Sequence, residues 1–308
     1  MTLGCCVTNA LAKLAIGGTR LQFIEFDPYR VMRTLSDANG NAILGTLDRD
    51  PDLVAPGIEY DQFRISLYMT AQNMNVLLPI MGFTQSGNVW TLGNPMPSTE
   101  IILGINSVPE ATWVDSVCAK WVARGQKGGD PPRIDLWFRA PQRGEQAVNT
   151  FFVSDTDPAR LTEFAYAFNG GTVMTYSGNT YGFNQYALGL DTMQVAEYMN
   201  STFATYLCPT DHVISIGAGM LYAPCAGTVT NLVTTPFTGD ITGGAFSLAF
   251  SRTIGMTTYS TTFNLPMVKQ IPMQPAVTRK HDFTRLQFHG VGYSNGTAPS
   301  MRVTNNYA

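Results

Sequence analysis

Imidazole is the side chain from which much acid–base and metal chemistry is built, and this chain has three: His212, His281 and His289. Cys208, His212 and Cys225 form the one grouping with a zinc-like mixture of ligands. A zinc centre takes about four ligands in tight pairs, whereas these three stand at loose spacing, as buried thiols and a surface imidazole would. His281-Asp282 with His289 has the types needed for general acid–base work. Flanked by Arg279, Lys280 and Arg285, it reads more simply as a polar strand edge. The run Asp48-Arg49-Asp50-Pro51-Asp52 offers carboxylates to calcium but lacks the spacing and glycine of an EF-hand loop. No serine lies in GxSxG and no histidine in HExxH, and no glycine run matches a phosphate loop or dinucleotide fingerprint. Gly290, Gly292 and Gly296 are spaced for a hairpin loop instead. The expectation is a protein with no catalytic residues, no cofactor and no metal.

Composition points away from a protein that grips nucleic acid phosphates. Only 13% of the 308 residues are charged and the net charge is −3. Gripping nucleic acid needs concentrated Lys and Arg, but here 14 Arg and 5 Lys are scattered. Thr, Ser, Asn, Gly and Pro cover the surface, a texture that suits β-rich proteins and surfaces that meet other subunits. Cys5, Cys6, Cys118, Cys208 and Cys225 are odd in number and contain no CxxC, so reduced thiols in a cytoplasmic setting are expected. The segment Met1 to Gly18 lacks a charged start before its apolar stretch, and no apolar run approaches membrane-spanning length. Neither a signal peptide nor a membrane anchor is expected.

The elements that would position any site are mostly strands. Thr19–Phe26 and Arg30–Thr34 read as short strands joined by an Asp27-Pro28 turn. From Phe63 to Met69 apolar and polar residues alternate, the period of a half-buried strand. Met74, Leu77, Leu78 and Met81 then follow at helical spacing, with Pro79 shortening or kinking the helix unless it lies near an end. Val89–Leu92, Glu100–Ile105, Ala245–Arg252 and Thr257–Leu265 are further strand candidates. Val117–Arg124 and Ile134–Arg139 form the best hairpin, and Thr284–Val291 with Ser300–Tyr307 a second. Met193, Ala196, Met199 and Phe203 suggest a second helix. Trp90, Trp113, Trp121 and Trp137 sit on or near strands, where packing is their expected role.

One pattern recurs. Tyr60-Asp61-Gln62-Phe63-Arg64-Ile65-Ser66-Leu67 returns as Phe183-Asn184-Gln185-Tyr186-Ala187-Leu188-Gly189-Leu190. Both halves then run strand, helix, strands and closing hairpin, which suggests two related modules, 1–150 and 151–308.

The unit Gly57–Phe83, the hairpin Val117–Phe138, the segments Tyr198–Ser201 and Cys208–Asp211, and the closing Arg285–Tyr307 together resemble tail tube proteins of long-tailed, siphovirus-like bacteriophages. The resemblance is spread over most of the chain and rests on order and texture. It implies a mainly β fold: two tandem β-sandwich or barrel-like modules, each with one flanking α-helix. It also implies a structural virion protein, made in the bacterial host cytoplasm. Stacked rings of it would form a tail tube through which DNA passes without specific binding during ejection. Its implied partners are other copies of itself, a tape measure protein and a tail terminator. Two modules per chain suit trimeric rings with pseudo-sixfold symmetry, and a true hexamer is the competing arrangement. Another ring component of the tail (distal tail, neck or baseplate) is the nearest alternative. A glycan-binding β-sandwich and a hydrolase on a β scaffold represent other classes. Contacts between subunits are expected at two Gly- and Pro-rich hairpin loops: Gly125, Gln126, Lys127, Gly128, Gly129 and Asp130 in the first, and Gly292, Tyr293, Ser294, Asn295 and Gly296 in the second.

Overall fold

Alternating apolar and polar residues dominate the chain, and in the computed structural model they become strands. Residues 12–33, 36–37, 54–55, 58–93, 96–105, 108–128, 131–148, 150–152, 165–168, 171–197, 206–208, 210–221, 243–271 and 285–307 are described. The first half holds β1 (Lys13–Ile16), β2 (Thr19–Leu21), β3 (Glu25–Arg33), β4 (Ser36–Asp37), β5 (Val54–Ala55), β6 (Ile58–Tyr68), α1 (Ala71–Ile80), β7 (Phe83–Ser86), β8 (Val89–Leu92), β9 (Ser98–Ile105), β10 (Val108–Gln126), β11 (Arg133–Ala140) and β12 (Gly144–Glu145). The second holds β13 (Thr172–Tyr176), β14 (Asn179–Tyr181), β15 (Gln185–Asp191), β16 (Val195–Glu197), β17 (Tyr206–Cys208), β18 (Val213–Leu221), β19 (Gly244–Ile254), β20 (Thr257–Gln270), β21 (Arg285–Tyr293) and β22 (Arg302–Asn306). The fold is mainly β, and α1 is the one helix among the described residues.

The local signals act as their chemistry demands. On β6, Phe63, Ile65 and Leu67 are fully buried while Arg64 and Tyr68 face outward. Thr70 caps α1, its hydroxyl accepting the Asn73 N–H at 2.9 Å. Met74, Leu77 and Leu78 line the buried stripe, and Pro79 falls in the last turn, one residue before the helix stops. Three expectations need correction. Thr284–Val291 and Ser300–Tyr307 do not close as a hairpin, because β21 pairs with β18 and β20 while β22 pairs with β20 and β8. The chain does not turn at Asp27-Pro28. It continues as β3, with Pro28 opposite Phe63 in a ladder with β6. The helical stripe at Met193, Ala196, Met199 and Phe203 is not a helix where it is described. Met193 has φ +45° and is 53% exposed, and the Gln194 amide donates to the Cys118 carbonyl. Val195–Glu197 then pairs with Tyr206–Cys208 as strand, while 198–205 lie outside the described residues. A tertiary hydrogen bond and a left-handed residue outweigh the spacing of apolar side chains.

All strands except β4, β5, β16 and β17 belong to one antiparallel sheet that rolls into a barrel around a shared core. Its pairings trace the same path twice. The first runs β2–β1–β9–β10–β11–β6–β3. The second runs β14–β13–β19–β20–β21–β18–β15. The correspondence reaches single hydrogen bonds. Both paths open with a two-residue hairpin turn having both φ values positive, 56° and 76° at Gly17-Gly18 and 48° and 79° at Ser177-Gly178. Ile24 N–H then donates to the Ser66 carbonyl at 2.7 Å, and Asn184 N–H to the Gly219 carbonyl at 2.8 Å. The octapeptide match has a different basis from the one the sequence suggests. Tyr60–Leu67 lies on β6 and Phe183–Leu190 leads into β15, yet β15 takes the place of β3, and β6 corresponds to β18.

The paths meet along one seam, where β10 pairs with β15 from Lys120 opposite Asp191 to Gln126 opposite Gln185. The core also crosses between them. The Trp121 ring lies 6.4 Å from Phe83 and 5.7 Å from Phe263, and Asn305 Nδ2 donates to the Ala71 carbonyl at the start of α1. β22 clasps the halves again by pairing with both β20 and β8.

Candidate functional site

Because Trp121, Ala123, Ile134, Leu136 and Phe138 point into the core, their neighbours along β10 and β11 point out. The result is a continuous open face running β3–β6–β11–β10–β15–β18–β21. Its first-half sector is charged and internally paired. Arg64 meets Glu25 across β6 and β3 at 2.7 Å. Arg124 on β10 pairs with the buried carboxylate of Asp135 on β11, which also accepts the Ser66 hydroxyl from β6. Lys120 reaches Asp191 across the seam at 3.7 Å while its ammonium lies 5.7 Å from the Trp137 ring centroid. Arg139 is anchored to the Gln194 carbonyl at 2.7 Å. The second-half sector places Gln185, Ala187, Ser215, Gly217, Gln287 and His289 at the outward positions, none of them a carboxylate, lysine or arginine. One face therefore has a charge-paired sector and a sector in which Ala187, Ser215 and Gly217 alternate with Gln185, Gln287 and His289, joined at the seam.

Over the seam lies a cleft of about 460 Å3, bordered by Arg124, Gln126, Arg133, Gln185 and Gln287. Tyr186 forms part of its wall with its ring buried against Phe168 and Phe250, and burial pushes its hydroxyl well above the usual tyrosine range. The seam leaves no room for a side chain at Gly189. A Cβ there would stand 2.9 Å from the Trp121 carbonyl oxygen.

The hairpin residues behave differently from free loop tips. Gly125 and Gln126 continue β10 and pair with Tyr186 and Gln185, and Lys127 N–H donates to the Asn184 carbonyl at 2.7 Å. They thus join the two halves of one chain. Gly128 is the exposed turn residue with φ +74°, and Gly129 and Asp130 lie outside the described residues. Gly292 and Tyr293 are strand, opposite Val268 and Met267 of β20. Ser294, Asn295 and Gly296 form an exposed loop tied to itself, the Asn295 side chain accepting the Thr297 and Ala298 N–H groups at 3.1 and 2.8 Å.

The side chains weighed for chemistry are dispersed. Cys118 is buried, which pushes its thiol up to about 12. His212 is held below the usual histidine range by partial burial, with adjacent Asp211 opposing the shift. His289 is exposed on β21, whereas Cys5, Cys6, Cys225, His281 and the Asp48–Asp52 run lie outside the described residues. Among the described residues no group of three His, Cys, Asp or Glu side chains is placed to hold a metal ion. Buried carboxylates are committed to the fold. Asp61 accepts the Trp113 indole N–H at 2.9 Å, and Glu110 accepts the Phe151 and Phe152 N–H groups. No described helix is long and apolar enough to cross a membrane. No family model matches the chain, and no curated protein matches it in sequence. The paired charges and the seam escaped the sequence reading because they join strands far apart in the chain. The alternating Arg64, Arg133, Asp135, Trp137 and Arg139 were the available signal.

Proposed function

We propose that this chain is a structural virion protein whose rings stack into the tail tube of a long-tailed bacteriophage, a conduit for DNA, and that its halves are two tandem tube modules. The observation that carries the reading is the duplicated seven-strand path, joined edge to edge into one sheet. Two equivalent units already fused side by side are what a cyclic wall needs, since repetition of one junction buries successive sheet edges. The open face suits a wall past which a polyanion slides. Its cations at Arg64, Lys120 and Arg124 are each paired with a carboxylate, so few are left to bind phosphates. With two modules per chain, three chains supply six units, and a trimeric, pseudo-sixfold ring is the preferred arrangement. The partners are then further copies of this chain, a tape measure protein and a tail terminator.

Electron microscopy of the purified protein tests the reading. Rings or tubes with a central channel are expected, with three chains per ring by native mass measurement. A protein that stays monomeric at every concentration and instead binds glycans saturably would overturn it. Six chains per ring would overturn only the trimer.

A further inference from the structure

We infer that the cleft over the seam binds an acidic peptide segment, with Arg133 holding its carboxylate and Gly217 leaving room for its backbone. The inference rests on the cleft alone and holds whether or not the chain builds a tube.

Strand register lays the cleft out row by row. One outward row runs Arg133, Arg124, Ala187, Gly217 and His289 across β11, β10, β15, β18 and β21. The next, two residues along each strand, runs Gln126, Gln185, Gly219 and Gln287. Strands stand about 4.8 Å apart, so Arg124 and His289 face each other across roughly 14 Å of floor formed by Ala187 and Gly217. Packing demands most glycines of these strands. A Cβ would come within 2.9 Å of a neighbouring atom at Gly189, Gly219, Gly290 and Gly292. At Gly217 the nearest atoms would be 4.0 Å away, and its φ is not positive. The fold would accept a side chain there, and one suited to strands would strengthen β18. A glycine inside a strand that packing does not require marks a place where another backbone approaches closely.

The charges name the group that approaches. Arg124 and Arg133 are directly opposed on β10 and β11, and like charges so placed repel. Asp135 answers Arg124, whereas among the described residues Arg133 has no ion pair. No carboxylate borders the cleft, so its lining carries one uncompensated positive charge. A guanidinium holds a carboxylate through two parallel hydrogen bonds. One surplus charge matches a single carboxylate, whereas a phosphate backbone takes clustered cations. Gln126, Gln185 and Gln287 each offer both a donor and an acceptor, as the peptide group does. Tyr186 is the one aromatic residue of the lining, and its ring is buried against Phe168 and Phe250. No ring face is therefore open for a sugar to stack on. The volume, about 460 Å3, lies in the usual range of about 300–1,000 Å3 for ligand sites.

The probe is the acetylated tripeptide amide Gly-Glu-Gly, titrated against the full chain and followed by saturation-transfer NMR, which tolerates large assemblies. Saturable binding is expected, with a dissociation constant of about 1 mM or below. The Gly-Gln-Gly analogue, and the R133Q variant with the original probe, should each bind at least about tenfold more weakly. R302Q, which removes an exposed cation from β22, should bind as the parent does. G217V should abolish binding and melt no lower than the parent, a combination that a glycine required by packing would not give. No saturable binding, equal binding of the two tripeptides, or binding that survives both R133Q and G217V would overturn the site. Tighter binding of glucuronate, inorganic phosphate or a short oligonucleotide would overturn the peptide assignment. A G217V protein that melts well below the parent would overturn the argument from the floor. Ring formation is scored separately by electron microscopy, and neither its presence nor its absence alters these outcomes.

Discussion

Replacing Trp121 by alanine should weaken both halves of the chain together. The indole is fully buried and lies between Phe83 of the first half and Phe263 of the second. A buried tryptophan removes up to about 250 Å2 from water, worth about 6 kcal/mol at roughly 25 cal/mol per Å2. That value is an upper bound, because unfolded chains already bury some of this surface. The indole N–H also has no hydrogen-bond partner among the described residues, and its removal returns about 1–3 kcal/mol of desolvation cost. The net loss is about 3–4 kcal/mol, inside the range of about 3–5 found for large aromatic truncations. With a urea dependence near 3 kcal/mol per M, the midpoint should fall by about 1 M. W121F, which keeps most of the contact and drops the orphan N–H, should lose less than about 1.5 kcal/mol. The assay is urea denaturation followed by tryptophan emission, reporting Trp90, Trp113 and Trp137 of the first half, and by amide exchange of the Gln185–Asp191 and Val213–Leu221 strands of the second. Both signals should shift together. If the first-half signal alone moves, or if the midpoint moves by less than about 0.3 M, the argument for a shared core fails.

Other consequences are simpler. Lys120 and Asp191 are both well exposed, so a double-mutant cycle should give a coupling below about 1 kcal/mol that vanishes at high salt. The seam is then held by its ladder rather than by its ion pair. For Cys118, the folded thiol is raised to about 12 from 9.0. An acid whose pKa is raised by folding favours the native state fully below 9.0 and loses that contribution as pH climbs towards 12. C118A should therefore show a shallower decline of stability over this window than the parent, measured by denaturation at fixed pH values. Chelation should leave melting temperature and assembly unchanged. A stoichiometric zinc signal lost along with stability in C208S would contradict the metal-free reading.

Local rules made several elements readable from sequence. Phe63, Ile65 and Leu67 marked β6, the hairpin β10–β11 was plain from its alternation, and Pro79 lay at the helix end as its chemistry requires. What failed was decided by distant groups. The stripe at Met193–Phe203 has helical spacing, but Gln194 is bound to the Cys118 carbonyl on another strand. Pro28 reads as a turn, but a long partner strand carries the chain straight through it. The repeated octapeptide sits on strands that do not correspond in the two pairing paths. The true correspondence lies in hairpin turns and pairing order, where Gly17-Gly18 and Ser177-Gly178 share conformation with little identity. The alternation of charges along β6 and β11 is visible in the sequence, but their pairing is not. Glu25, Arg64, Lys120, Arg124, Asp135 and Asp191 acquire partners only once the strands are ordered.

The seam also has a consequence during synthesis. β10 and β11 can form as a hairpin as soon as they emerge, but the edge that β15 will occupy stays vacant until Gln185–Asp191 has been made. At roughly 5–20 residues per second this interval lasts several seconds. During that time β3 of any neighbouring nascent chain is a competitor with the same place in the strand path. The tether resolves the competition, because a segment of the same chain acts at an effective concentration far above that of a second molecule. Crowded translation on one message erodes that advantage. Overexpression should therefore yield swapped, kinetically trapped oligomers in proportion to ribosome density, and slower initiation should recover the correctly paired chain.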